Sequence, residues 1–137
     1  MNIRTFESPD SEELKALWQT VLPDDTPHNQ PDRVLAEKLA VDDMIYVACE
    51  NNRLIGTVMA GYDGHRGWLY SVGVLPEHRR AGLGRKLIRH AVDALAALGC
   101  RKINLQVRMD NQAVTAFYES LGFSVEERVS MGLRLPP

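Results

Sequence analysis

Val72-Gly73-Val74-Leu75-Pro76-Glu77-His78-Arg79-Arg80-Ala81-Gly82-Leu83-Gly84-Arg85 is the stretch on which the reading of this chain turns. Its first residues close an apolar run that begins at Trp68, and Pro76 ends that run. From Leu83 the period changes: Leu83, Leu87, Ile88, Ala91, Leu95 and Leu98 recur every third or fourth residue. That spacing predicts a helix of about four turns, with Gly99 as its C-terminal stop. The stretch therefore carries a strand, through a short turn, into a helix. A helix start presents unpaired N–H groups and the positive end of a dipole. Gly82 and Gly84 let the chain turn tightly and let a phosphate approach the backbone without meeting a Cβ. The arginines add charge-assisted hydrogen bonds. The segment is built like an anion cradle, suited to a pyrophosphate. A P-loop would need Gly-Lys-Ser/Thr where Gly84-Arg85-Lys86 stands, and a dinucleotide fingerprint would need a third glycine at Leu87. Taken by itself, the segment also fits a basic turn at a helix start that binds nothing.

Upstream lies an antiparallel meander. Residues 44–49 form an apolar, β-rich run, and residues 54–60 and 68–75 form two more. Glu50-Asn51-Asn52-Arg53 and Asp63-Gly64 supply the hairpin turns between them. Before the meander, residues 2–6 read as a short strand. Leu14, Leu17, Trp18 and Val21 mark a helix that Pro23 stops, residues 23–31 read as a loop, and Val34, Leu35 and Leu39 mark a second helix.

Downstream, Ile103, Leu105 and Val107 alternate with polar residues as in a strand. Asp110-Asn111 opens a last helix, with Val114, Phe117, Tyr118 and Leu121 on one face and Gly122 at its end. Residues 123–135 read as one or two closing strands. The order predicts an α+β domain over residues 1–137, with a strand-helix-strand crossover that makes the fourth and fifth strands parallel.

Bulk properties narrow the function. The 137 residues suit one domain, and a net charge of −2 gives no global basic character for nucleic acid. The basic residues Arg79, Arg80, Arg85, Lys86, Arg89 and His90 read as a solvated helix face whose first members could meet phosphates, and no interleaved aromatics accompany them. Met1-Asn2-Ile3-Arg4 lacks an apolar secretion segment, and no apolar run approaches the roughly 20 residues that span a bilayer. Cys49 and Cys100 match no zinc or redox spacing, and neither do His28, His65, His78 and His90. The expectation is a cytoplasmic protein with two reduced, buried thiols, no metal site, no membrane and no nucleic-acid partner. A homodimer remains open.

Arg79-x-x-Gly82-x-Gly84, after a strand ending in Val-x-Pro-Glu, resembles motif A of the GNAT N-acetyltransferases. Asp110-Asn111-Gln112-Ala113 and Ala116-Phe117-Tyr118-Glu119-Ser120-Leu121-Gly122-Phe123 resemble motif B of the same family, in the same order and spacing. The stretch from Gly56 to Gly67, with Leu98-Gly99-Cys100-x-Lys102-Ile103, resembles the YpeA-like bacterial acetyltransferases in particular.

The resemblance implies a GNAT fold whose parallel fourth and fifth strands splay around acetyl-CoA, and transfer of the acetyl group by direct attack of an amine. The amine would belong to a small molecule or a protein N-terminus, and residues 23–31 would line its side of the site. Backbone at Arg79, Arg80, Ala81, Gly82, Leu83, Gly84 and Arg85 would hold the CoA pyrophosphate. Val72, Gly73 and Val74 would pair with the pantetheine arm, and an N–H near Val74 would meet the developing oxyanion. Gly73 would also mark a bulge or a close backbone approach. Asn111 stands at a cofactor-touching position, or serves only as a helix N-cap. Tyr118 stands where many members protonate the departing thiolate, or serves as a core aromatic. The chain departs from the family in its fourth strand, where Trp68-Leu69-Tyr70-Ser71-Val72 offers no carboxylate base. Glu50, Asp63, His65 and His78 are the substitutes the sequence offers, and the base is unassigned. That gap leaves a second reading open, a CoA-binding regulatory module without turnover.

Overall fold

The computed structural model describes residues 1–136. They form two compact units, Met1–Leu105 and the residues from Gln106 onward. In the first unit, strands β1 (Asn2–Thr5), β2 (Ile45–Glu50), β3 (Arg53–Tyr62), β4 (Gly67–Val74) and β5 (Ile103–Asn104) lie side by side in chain order. β1 to β4 are antiparallel neighbours, and β4 and β5 are parallel. Helices α1 (Ser11–Val21), α2 (Pro31–Leu39) and α3 (Leu83–Ala97) belong to this unit, and α4 (Gln112–Ser120) belongs to the second. The expected α+β class, the meander and the parallel crossover are all present.

Local chemistry sets the boundaries. Asn51 and Asn52 hold φ of 51° and 61°, the left-handed pair that a tight hairpin needs. Asp63 accepts hydrogen bonds from the backbone N–H groups of His65 and Arg66 at 2.8 and 2.7 Å, which closes the β3–β4 turn. Those bonds hold its carboxyl below the usual carboxylate range. Pro31 is not loop but the first residue of α2, where its missing N–H is no loss.

Residues 54–60 of β3 are buried without interruption, so both faces of the sheet centre are covered. Two glycines show by what. A Cβ on Gly56 would lie 2.9 Å from the Leu87 side chain of α3, and one on Gly73 would lie 2.4 Å from Cγ2 of Val21 in α1. Gly56 is paired with Val74, so its face is shared with Val74, and Gly73 points the other way. α3 and α1 therefore cover opposite faces. α3 contributes Leu83, Leu87, Ile88, Ala91 and Leu95, all buried. Each of the large ones is worth roughly 1.5–3 kcal/mol of transfer free energy.

Three further expectations fail. The fifth strand stops at Asn104 instead of running through Val107. Alternating side chains describe one strand's own surface, whereas a ladder requires a neighbour's backbone, and the pairing with β4 ends at Trp68↔Asn104. No strand forms over residues 123–135 for the same reason, and Val125, Val129, Met131, Leu133 and Leu135 are exposed there. Cys49 and Cys100 are free but only half-buried, and burial pushes the Cys49 thiol up.

Candidate active site

β4 pairs with β3 along its whole length but loses β5 after two residues. Its first two residues pair with β5, at Gly67↔Ile103 and Trp68↔Asn104, and the strand runs on to Val74. On its other side, Thr57 faces Gly73 and Met59 faces Tyr70, so Val58 alone stands opposite Ser71 and Val72. That is a bulge. It lies at Ser71, whose φ is 50°, and not at Gly73 as a glycine suggests. Gly73 is small because Val21 presses on it. Leu75 N–H donates to the Ile55 carbonyl at 2.9 Å, across to β3. Backbone groups alternate sides along a strand, so Val74 N–H and C=O turn to the opposite edge, past the end of the β5 ladder. There Arg79 Nε donates to the Val74 carbonyl at 3.0 Å.

The chain then turns through a 3-10 segment, Pro76–His78, and two left-handed residues, Arg80 at φ 69° and Gly82 at φ 78°. Gly82 is the N-cap of α3 and gives it no side-chain cap, so the first-turn N–H groups are open to an incoming acceptor. A Cβ on Gly82 would meet nothing within 4 Å, which means free space above the cap. The first turn carries no acidic residue, and Arg79, Arg80, Arg85, Lys86 and Arg89 are exposed around it. Cations at the positive end of a helix dipole are locally unfavourable. An anion seated on the N–H groups would offset both effects. Leu83, 4% exposed, anchors the turn in the core. His90 departs from the expected basic face: it is half-buried, with its ring edge-on to Tyr46 at 4.8 Å.

The remaining sequence-predicted residues lie in the second unit. Asn111 caps α4, its Oδ1 accepting from Val114 N–H at 3.3 Å. Tyr118 is buried, with Phe117 and Phe123 edge-on at 5.1 and 5.6 Å. Gly122 at φ 98° turns the chain back after α4, and Phe123 supplies the second ring contact. Burial alone raises the Tyr118 phenol above its usual range, so it keeps its proton at neutral pH.

Within the first unit, a cavity of about 690 Å³ opens between the end of α1, the loop to α2, and β3–β4. Trp18, Asp24, Asp25, Met59, Tyr70 and Ser71 are among its lining residues. The sequence reading took residues 23–31 as a loop on the acceptor side but gave neither Asp24 nor Asp25 a role of its own. Asp24 accepts from Thr26 N–H, from the Thr26 hydroxyl and from Asn29 Nδ2, and these bonds hold its pKa at about 2. The four sequence candidates for a base lie elsewhere. Glu50 sits 3.5 Å from His78 Nδ1, Asp63 and His65 belong to the hairpin turn, and none of the four lines the cavity.

Among known proteins, a model of the acetyltransferase (GNAT) family matches residues 11–123. An acetyltransferase of Pectobacterium atrosepticum is 41% identical over 138 aligned residues, 98% of this chain and 96% of the relative. The solved structure of the ribosomal-protein-S18-alanine N-acetyltransferase of Escherichia coli superposes with a TM-score of 0.77 at 26% identity, over 90% of this chain and 77% of that one. An aminoglycoside N-acetyltransferase solved in complex with CoA gives a TM-score of 0.80 at 23% identity, over 97% and 93% of the two chains, a likeness of fold.

Proposed function

Because the chain belongs to the GNAT acetyltransferase family, we propose that it is a cytoplasmic, single-domain enzyme that acetylates an amine with acetyl-CoA as donor. The observation that carries this reading is the start of α3: an uncapped helix N-terminus with open space above Gly82, no first-turn acid and a ring of arginines. Those residues fit a pyrophosphate.

When bound, acetyl-CoA supplies an acyl thioester, whose acetyl group passes to the amine nitrogen while the thiol is released. Backbone N–H groups at Gly82, Leu83, Gly84 and Arg85 hold the phosphates, with Arg79, Arg80 and Ala81 shaping the turn. Val72, Gly73 and Val74 line the pantetheine arm along the unpaired edge of β4. Val74 N–H donates to the carbonyl oxygen as negative charge grows there. Tyr118 keeps its phenolic proton and gives it to sulfur as the C–S bond breaks. Asn111 adds a cofactor contact to its capping role. The amine arrives from the cavity beside Ser71, and it must be neutral to attack. An α-amine, with a reference pKa of about 8, meets that condition at neutral pH more readily than a lysine at about 10.4.

Thermal denaturation with and without millimolar acetyl-CoA tests the reading, because a ligand that binds only the native state raises the melting temperature with concentration. A rise is expected, together with turnover on an amine panel. A rise without turnover on any amine would favour a binding module, and no rise would remove the donor assignment.

A further inference from the structure

We propose that the cavity beside Ser71 selects an amine that carries a second positive charge. The inference rests on the acetyl-transfer reading above and names the class of acceptor for that site.

The cavity, at about 690 Å³, has the size of a small-molecule site. Its lining includes two carboxylates, Asp24 and Asp25, and no lysine, arginine or histidine. A concave wall with one sign of charge concentrates the opposite sign inside it. The two carboxylates have different work. Asp24 is spent on Thr26 and Asn29, while Gln30 Nε2 donates to the backbone carbonyls of Asp24 and Thr26 at 3.0 and 3.1 Å. The loop is thereby set before any ligand arrives. Asp25 makes no hydrogen bond or ion pair among the described residues and is exposed, so its charge is free for a ligand.

The rest of the lining suits an organic cation. Tyr70 supplies aromatic surface, which attracts cations, and is 48% exposed although it sits in a strand. Trp18, also in the lining, is 4% exposed, and its Nε1–H finds no acceptor among the described residues. Ser71, at the β4 bulge, also lines the cavity. A cation held at Asp25 leaves the other amine of the same molecule to reach Ser71 and the edge of β4.

Putrescine, n-butylamine and γ-aminobutyrate share one carbon chain and differ in the charge of the far end, which makes them the probes. With acetyl-CoA as donor, kcat/KM should fall in that order, by about fivefold between the first two, the scale of a partly exposed ion pair. Asp25→Asn should bring the putrescine-to-butylamine ratio to within about twofold, and Asp93→Asn, on the exposed side of α3, should leave the ratio as it is. Butylamine or γ-aminobutyrate turned over as well as putrescine would overturn the proposal, and so would a ratio indifferent to Asp25→Asn. Calorimetric binding of putrescine to the protein alone decides the matter independently of turnover. Binding weakened by Asp25→Asn supports the charge selection even if acetyl-CoA fails to bind. Absence of putrescine binding together with absence of turnover rejects it, whatever becomes of the donor site.

Discussion

The turn from β4 into α3 and the cavity beside α1 are opposites in charge and in construction. The turn is basic, ringed by Arg79, Arg80 and Arg85, and it is made of consecutive residues whose backbone N–H groups are the ones proposed to hold phosphate. The cavity is acidic, and its walls come from α1, the loop that follows it, α2, β3 and β4. A phosphate offers the same oxygens in every ligand, so a backbone motif of arginine and glycine suffices to hold it. An acceptor amine is one among many, and selecting it takes side chains from separate elements. The first kind of site is written in one stretch of sequence, whereas the second exists only once the chain has folded.

The largest effect expected lies outside both regions. Tyr118→Phe should lower kcat by about 10²–10⁴-fold, the usual worth of a general acid, with little change in acetyl-CoA affinity. The ring keeps its edge contacts with Phe117 and Phe123, so folding should survive. An unchanged rate, where chemistry is limiting, would make Tyr118 a packing residue and leave the thiolate to take its proton from water.

Gly84→Asp separates the two regions. A carboxylate placed in the first turn of α3 should weaken acetyl-CoA by about a hundredfold or more, some 2.7 kcal/mol, and erase its thermal shift. Gly82→Asp is the poorer test, because φ of 78° would strain any side chain there. Calorimetry on a folded Gly84→Asp protein that still bound acetyl-CoA normally would take the pyrophosphate away from this turn.

Gly73→Ala probes where the two regions touch within the first unit. Its new Cβ would lie 2.4 Å from Val21, at the end of the helix that leads into the cavity loop. Overpacking of this kind costs about 1–3 kcal/mol, readable as a lower denaturant midpoint. Stability equal to the parent would mean that α1 gives way freely and does not fix the cavity to the strand.

The smallest effect belongs to Asn111→Ala. Loss of the cap to Val114 N–H should cost about 1 kcal/mol, measured by the same unfolding curves. Acetyl-CoA affinity should drop as well if Asn111 touches the cofactor, and an unchanged affinity would leave it a cap alone.

Much of the architecture was legible because its signals are local. Apolar spacing in α3, paired asparagines at the β2–β3 turn, and glycines at 99 and 122 with φ of 93° and 98° each depend on a few adjacent residues. The turn from β4 into α3 was legible for the same reason. Gly73 shows where that logic stops. A glycine in a strand announces a bulge or a close approach, and only the packing of Val21 decides for the approach, while the bulge goes to Ser71. Cys49 and Cys100, read as buried, proved half-buried, since burial depends on neighbours that sequence proximity does not name.

By itself, the order of residues determined the meander, the crossover and the glycine-arginine turn, since periodicity, capping and backbone freedom act within a few residues. Tertiary structure alone decided where β5 ends, that residues 123–135 form no strand, and that Asp24 and Asp25 share a cavity with Trp18 and Tyr70. A strand needs a partner's backbone and a cavity needs walls from distant elements, and neither is a property of a neighbouring residue.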